Sequence, residues 1–192
     1  KIARIHEIFG TITAIYIADG HHRCASALKV GQKRRAQYPD YTGEEEFNFF
    51  LSVLFPDEEL RIMDYNRVIR DLNGMTAQEF LEKVSEYFDV TEKGTDAYRP
   101  ERKGCFGMFL EGTWYCLTAK PEIVKDDPVA GLDVSILQDY LLAPILGIHD
   151  PKTDTRIDFA GGIRGLKELE RRVNTDMKVA FAMHPTSIQE LF

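Results

Sequence analysis

The chain has 192 residues, of which 44% are hydrophobic and 29% are charged, and its formal net charge at pH 7 is −7. This length and composition are typical of a soluble globular protein with one larger domain or two small ones. The negative charge disfavours nucleic acid or an anionic membrane as the main partner, and no apolar run reaches the roughly 20 residues of a membrane-spanning helix.

The cysteines indicate the redox environment of the protein, and the two ends of the chain indicate whether it is a fragment. Cys24, Cys105 and Cys116 are scattered and form no C-x-x-C pair, which argues against a disulfide framework and a structural zinc and favours a reducing, cytoplasmic setting. The chain begins with Lys1 instead of Met, and the stretch from Ser187 to Phe192 stops inside a segment with helical composition. We therefore expect a fragment of a longer protein, in which part of an active site could be missing.

The first third of the chain predicts a strand, a turn and a helix, followed by two more strands. The apolar run Ile12–Ala18 ends at Asp19-Gly20, and the residues from His22 to Arg35 have the composition of a helix. Phe47–Phe55 is almost continuously apolar and is followed by Pro56, so it is interpreted as a buried central strand. Leu60–Ile69 is the next candidate strand.

The middle of the chain carries the clearest local signals. Thr76 and Glu79 have the spacing of a capping box, and Met75 and Phe80 are placed to form a hydrophobic staple at the start of a helix that runs to Tyr87. A short strand, Phe88–Thr91, follows this helix.

A hairpin is predicted around Glu111-Gly112, with strands Cys105–Leu110 and Thr113–Thr118. A two-residue turn sets Leu110 opposite Thr113 and Cys105 opposite Thr118. Cys105 and Cys116 then lie diagonally, about 7 to 8 Å apart, which favours two small buried side chains over a disulfide.

The last third mixes helices and strands. The predicted elements are a helix from Asp133 to Leu146 kinked or ended by Pro144, a strand Arg156–Ala160, a helix from about Arg164 to Val173, a strand Lys178–Met183 and a final helix from Pro185. Because crossovers and a hairpin occur together, the fold class is predicted to be α+β. A boundary near Gly74 divides the chain into a first unit, 1–74, and a second α+β unit, 75–192.

The strongest candidate site is the turn that carries Asp19, Gly20, His21, His22 and Arg23. Free amides at a helix start, a glycine that lets a ligand approach the backbone, and an arginine together make an anion pocket. Adjacent histidines cannot both reach one metal ion from a regular element, so no metal-ligand set is predicted. The structural alternative is an Asp-Gly turn with an N-cap aspartate and exposed side chains. The concentration of four such groups favours a functional site.

Two further stretches are candidates. Arg67 lies inside a predicted half-buried strand, where a guanidinium needs an anionic partner. The functional interpretation is a second phosphate clamp, and the alternatives are a surface position or a salt bridge to a nearby carboxylate. Gly161-Gly162-Ile163-Arg164-Gly165 invites a phosphate-loop reading. It matches neither the dinucleotide nor the Walker spacing, which favours a tight strand-to-helix connection.

The motif Asp19-Gly20-His21-His22-Arg23, with Ala25, Ala27 and Leu28 after it, resembles the signature of a bacterial and archaeal family known as domain of unknown function 1015. Later stretches are similar as well, namely Phe47–Phe55, the strand with Arg67 and the closing segment from Val179 to Ser187. The resemblance spans most of the chain. Members of that family are longer at both ends, and the family has no settled biochemical function.

The same motif resembles a wider superfamily that includes the ParB N-terminal domain, sulfiredoxin and free-serine kinases, in which a Gly-x-x-Arg turn at a helix start holds nucleotide phosphates. This resemblance implies a ParB/sulfiredoxin-like first unit and a phosphate site at Gly20 to Arg23. It implies Asp19 as a base or metal-linked carboxylate. In the kinase hypothesis that follows from it, His21 or His22 would position the substrate. His21 stands where sulfiredoxin has its reactive cysteine, so thiol chemistry is disfavoured.

Two hypotheses follow. The first is an enzyme that uses ATP or ADP with Mg²⁺ to transfer phosphate to a small hydroxyl compound. The second is a nucleotide-binding regulatory module without catalysis. DNA binding is disfavoured by the acidic charge and by the lack of a helix-turn-helix pattern. The substrate, the nucleotide and the oligomeric state do not follow from the sequence.

Overall fold

The computed structural model describes residues 1–190, which form two compact units, Lys1–Glu59 and a second that starts at Leu60. The division lies 15 residues before the predicted boundary at 74/75. The difference arises because strand β1, Tyr65–Ile69, pairs with strands from the end of the chain, so the residues around it belong with the second unit.

The first unit contains two helices, α1 at Ile2–Phe9 and α2 at His21–Gln37, and short 3₁₀ turns at Glu46–Asn48 and Asp57–Glu59. Helix α2 confirms the predicted helix and extends it by one residue at the start and two at the end. Gly31, near its middle, leaves room for the chain that returns over it, because a Cβ there would lie 3.0 Å from the Phe47 carbonyl oxygen.

Two predicted strands of the first unit are wrong. Ile12–Ala18 has no regular structure, and Phe47–Phe55 begins in a 3₁₀ turn and continues as irregular chain. The large apolar side chains in both stretches are mostly exposed, and within residues 1–59 only Gly31 is buried. Apolar, β-branched sequence forms a strand only where a neighbour supplies the hydrogen bonds and a face to pack on, and these 59 residues supply neither to the two segments.

The second unit is built on a six-stranded sheet with the order β2-β4-β3-β6-β1-β5. Every neighbouring pair of strands in this sheet is antiparallel. Because the described chain contains both this sheet and several helices, it is a mixed α and β fold, in agreement with the predicted class. The strands after β1 are β2 Phe88–Gly94, β3 Cys105–Leu110, β4 Thr113–Ala119, β5 Ile157–Gly161 and β6 Val179–Ala182.

The β3–β4 hairpin has the predicted register. Leu110 pairs with Thr113 and Cys105 with Thr118 around the Glu111-Gly112 turn, where both residues have positive φ. Cys105 and Cys116 are free and buried, as expected. A two-residue turn fixes the register of a hairpin locally, which is why the sequence was sufficient here.

The helices of the second unit are α3 Ala77–Tyr87, α4 Asp133–Leu137 and α5 Leu166–Val173. Thr76 and Glu79 form the predicted capping box. The predicted helix from Asp133 to Leu146 is shorter and changes type, because α4 continues into a π-helical turn, Gln138–Leu142, before Pro144. The predicted helix from Pro185 does not form within residues 185–190, and its remainder lies outside the described residues.

Both faces of the sheet are covered. One face carries Phe88, Phe106, Met108 and Phe181 and packs with α3, α4 and the π-helical turn. The other carries Val68, Trp114 and Ala180 and packs with Leu169 of α5. Alternate side chains of each strand point to opposite faces, so this three-layer arrangement buries nearly continuous apolar strands such as β3 and β6. None of the helices in residues 1–190 is long and apolar enough to cross a membrane.

The capping box gives the first testable prediction. Replacing Thr76 with Ala removes the hydroxyl that accepts the Glu79 amide and should lower the free energy of unfolding by about 1 kcal/mol. Urea denaturation measures this change. Lys83→Ala, on an exposed position of the same helix, is the control and should change stability by less than about 0.5 kcal/mol. Equal effects of the two substitutions would contradict a role for the cap.

Candidate functional site

The turn before α2 brings two of the predicted site residues together. Nη2 of Arg23 lies 3.1 Å from Oδ2 of Asp19, in an ion pair whose side chains are 82% and 92% exposed. Gly20 is the N-cap residue, with φ +84°, so Asp19 does not have the N-cap position that the structural alternative gave it. Asp19 instead contacts the arginine one turn along the helix.

Gly20 suits this turn because its positive φ is a conformation that other residues rarely adopt. The exposed Arg23 side chain also lies close to it, since a Cβ built at Gly20 would be 3.0 Å from Nη2 of Arg23. The arginine therefore folds back over the start of α2, where the first amides of a helix have no partner within it. The first turn contains no acidic residue. A guanidinium and the positive end of a 17-residue helix thus share one exposed position.

The two histidines of the motif lie at the surface. His21 and His22 are exposed, and neither hydrogen-bonds or pairs with another side chain within residues 1–190. In the described part of the chain, neither imidazole ring is therefore held in place by a hydrogen bond or an ion pair. Within the same residues, no three His, Cys, Asp or Glu side chains come together as metal ligands.

An apolar cleft lies one turn further along α2. Its walls are formed by Cys24, Ala27 and Leu28 on the helix and by the returning chain at Phe47–Phe50. Arg35 closes one end, where its Nε donates to Oδ1 of Asn48 at 2.8 Å. The first unit thus places an apolar surface directly beside the exposed charges of the turn.

Arg67 is part of the second unit and has a different environment. One guanidinium nitrogen donates to the Tyr65 carbonyl oxygen, and the group lies 5.8 and 5.5 Å from the ring centroids of Tyr65 and Phe159, which stack on each other at 5.0 Å. Burial lowers the pKa of Arg67 to about 10. Within residues 1–190 no carboxylate pairs with it, so the predicted salt-bridge alternative is wrong and the aromatic rings take that place.

The Gly161–Gly165 stretch is a tight connection. Gly162 is buried against the carboxylate of Asp64, where any Cβ would overlap the Asp64 side chain. That carboxylate accepts from Arg99 at 2.8 Å and from the Asn66 amide at 2.7 Å. The glycine is therefore explained by packing, and the phosphate-loop reading has no support.

The structure also assembles a polar cluster that the sequence reading missed. Asp133 is buried, and its Oδ1 accepts the Gly104 amide at 2.8 Å. Burial raises the pKa of Asp133, against the opposing effects of the Gly104 amide, His184 and Lys103. Lys103 in turn pairs with Glu190. These residues are distant in sequence and carry no shared motif, so no local signal could have grouped them.

The Asp19–Arg23 turn lies within a region of the chain that matches a known family. A family model described as "Protein of unknown function (DUF1015)" matches residues 1–135, more than two thirds of the chain. The matched region includes the Asp19–Arg23 turn, Arg67 and the β3–β4 hairpin. No curated protein and no solved structure matches the chain.

The packing at Gly162 can be tested directly. Gly162→Ala should lower the free energy of unfolding by about 1 to 3 kcal/mol, because the added methyl group meets the buried Asp64 carboxylate. Gly161→Ala is the matched control, since a Cβ there meets nothing within 4 Å and φ is −62°. Thermal and urea denaturation measure both variants. Equal stability of the two would show that the close approach of Gly162 to Asp64 is not required.

The raised pKa of Asp133 predicts a pH dependence. The folded state favours the protonated form, so the contribution of Asp133 to stability is present below its ordinary pKa of 3.8 and is lost as the pH rises through the higher folded value. The free energy of unfolding of wild type minus that of Asp133→Asn should therefore fall as the pH increases. Urea denaturation across this range measures the difference.

The charged neighbours His184, Lys103 and Glu190 are present in both proteins and cancel in this difference to first order. Asp89→Asn, at an exposed position of β2, controls for the loss of one negative charge. A difference that stays flat or rises with pH would contradict the prediction for Asp133.

Proposed function

The chain belongs to the DUF1015 family, and we propose that its Asp19–Arg23 turn binds the phosphate groups of a nucleotide. The observation that carries the proposal is the position of the Arg23 guanidinium over the start of α2, beside free helix amides and without an acidic residue in the first turn. Helix amides and arginine are the donors that phosphate oxygens take in proteins.

The ion pair with Asp19 does not close this site. Both side chains are largely exposed, and such pairs contribute little to stability because water and salt screen them. A phosphate with two negative charges competes well for Arg23, and it gains the helix amides that Asp19 does not use. Asp19 is then released to face the ligand or a cation bound to it.

The apolar cleft on α2 suits the remainder of a nucleotide. It lies one turn beyond Arg23 and offers the Leu28 side chain and the ring of Phe49 to a planar base. A phosphate site and an apolar surface on one helix favour a ligand that combines both characters over free phosphate. The ParB/sulfiredoxin-like assignment of this unit rests on the similarity of its Gly20–Arg23 turn and remains part of the proposal.

Catalysis extends the proposal. Transfer of a terminal phosphoryl group to a small hydroxyl compound breaks the bond to the nucleotide and forms one to the hydroxyl oxygen, and Asp19 would accept the hydroxyl proton. Mg²⁺, when bound, neutralises charge on the phosphates, and Asp19 supplies the kind of single carboxylate that it takes beside phosphate oxygens. His21 and His22 are free to position the substrate. Three unpaired cysteines support a cytoplasmic setting for this chemistry.

Arg67 is proposed as a second anion-binding group. Its guanidinium is desolvated by burial and has only aromatic and carbonyl contacts within residues 1–190. A ligand carboxylate or phosphate would supply the negative charge that its surroundings lack.

A non-catalytic nucleotide switch is the second candidate. Asp19 is the single carboxylate of the Asp19–Arg23 turn, and within residues 1–190 no three His, Cys, Asp or Glu side chains come together as metal ligands. A site with one weakly held acid is sufficient for binding, whereas known phosphoryl-transfer sites hold metal and base with more than one group. Product analysis separates the two candidates.

The proposal predicts nucleotide-specific stabilisation that depends on Arg23. The unfolding temperature of the chain should rise with ATP, ADP, CTP or GTP in the presence of Mg²⁺, and a ligand at about a hundred times its dissociation constant adds roughly 2.7 kcal/mol. Arg23→Ala should abolish the shift. Arg34→Ala, at the other end of the same helix, removes the same charge and should keep it.

The Asp19→Asn variant tests the catalytic extension, since it should retain the nucleotide shift while losing any phosphorylated product. Turnover by Asp19→Asn at the wild-type rate would exclude Asp19 as the base. If no nucleotide shifts the wild-type protein, or if Arg23→Ala and Arg34→Ala behave alike, the phosphate site is not at this turn.

A further inference from the structure

The first unit exposes far more apolar surface than a stable monomer carries. The most concentrated stretch is Phe49–Phe55, whose large side chains are all exposed, with Leu51 at 92%. Soluble monomers rarely leave a continuous apolar patch of more than a few hundred Å² uncovered. This stretch therefore needs a covering surface that the first unit itself does not provide.

The order of the residues in this stretch indicates what covers it. Phe-Phe-Leu-Ser-Val-Leu-Phe, residues 49–55, reads almost the same in both directions about Ser52. Two copies placed antiparallel on a twofold axis through Ser52 would set Phe49 opposite Phe55, Phe50 opposite Leu54 and Leu51 opposite Val53. Every apolar side chain then meets an apolar partner, which is the match that stabilises antiparallel strands.

We propose that Phe49–Phe55 pairs with the same segment of a second copy of this chain and forms an antiparallel two-stranded interface across a twofold axis. This pairing is isologous, as in most soluble homodimers, because each copy offers the same surface. The inference is independent of the nucleotide site, since it uses neither Asp19 nor Arg23.

Three features of the segment favour such pairing: its beginning is fixed, its backbone is extended at Phe49, and its remaining residues bond to no strand. Its beginning is fixed on α2, where the Phe47 carbonyl lies over Gly31 and Asn48 accepts from Arg35. Phe49 already has extended backbone angles, φ −120° and ψ 152°. The residues that follow bond to no strand, so their backbone amides and carbonyls are available to a partner.

The apolar area is sufficient for a dimer. Phe49, Phe50 and Phe55 are 59–62% exposed, and a phenylalanine contributes roughly 150 to 250 Å² when it is buried. At about 60% exposure, six such rings from two copies supply roughly 540 to 900 Å², and the exposed aliphatic side chains between them bring the total towards the roughly 1,200 to 2,000 Å² of a stable interface.

The flanking charges give the interface a distinctive salt dependence. Glu45 and Glu46 precede the segment and Glu58 and Glu59 follow it, within or beside the two 3₁₀ turns, so an antiparallel pair brings acidic residues of the two copies near each other at both ends. Salt screens this repulsion and leaves the apolar contacts intact. Association should therefore tighten as the salt concentration rises, whereas an interface held by ion pairs would weaken.

Crosslinking tests the register. Ser52 faces its own copy at the axis, where opposite Cβ atoms of paired strands are about 4.5 to 5.5 Å apart, close enough for a disulfide after a small adjustment. The Ser52→Cys chain should therefore form a reducible covalent dimer on mild oxidation. Ser26→Cys, at an exposed position of α2, is the matched control and should form no covalent dimer under the same conditions, and neither should the wild-type chain.

Sedimentation of the 192-residue chain at several concentrations tests the interface itself. Leu51→Lys should weaken self-association at least tenfold, and it cannot disturb the single copy because Leu51 is almost fully exposed there. Val30→Lys, an exposed apolar position of α2, should leave association unchanged. A wild-type chain that stays monomeric at high concentration, or that is monomeric and binds lipid vesicles through this stretch, would overturn the proposal.

Discussion

The buried amide of Asn66 connects the parts of the second unit that the chain brings together from far apart. Its oxygen accepts the backbone N–H of Met183 at the end of β6, and its nitrogen donates to Asp64 just before β1. Asp64 in turn holds Arg99 and fits against Gly162. A buried polar group is stable only when its hydrogen bonds are made, so this network allows one arrangement of the strand ends and the connection to α5.

The first unit has no comparable constraint. The returning chain contacts helix α2 at Gly31 and through the Arg35–Asn48 hydrogen bond, and Phe47 stacks on Tyr38 at the end of the helix. Apolar segments that the sequence marks as strands lie exposed because no partner for them is present within these residues. Apolar segments form strands where they find a pairing partner and a covering layer. The second unit provides both for its sheet, and the first unit provides neither for its apolar segments.

Gly162 and Gly20 differ in their surroundings, because the first lies among buried groups and the second lies beside exposed charges. Gly162 is surrounded by buried groups, and its lack of a side chain serves the fit to Asp64. Gly20 lies at the surface beside exposed charges that contribute little to stability. The phosphate site proposed for this turn rests on exposed side chains that lie together at the positive end of a helix. Arg67 differs from both, because aromatic rings hold a charge that burial disfavours.

The sequence by itself determined the elements whose causes are local. The capping box at Thr76, the hairpin register at Glu111-Gly112 and helix α2 depend on residues a few positions apart, and the structure confirms all three. Tertiary structure decided the rest. Whether Phe47–Phe55 is a strand depends on a neighbour, and the place of β1 depends on strands that lie about 90 and 114 residues later. The Asp133 cluster joins residues without any shared pattern. Burial and strand pairing depend on what surrounds a segment. The segment's own sequence indicates only that it tends to be buried and paired, and the partner comes from elsewhere in the fold.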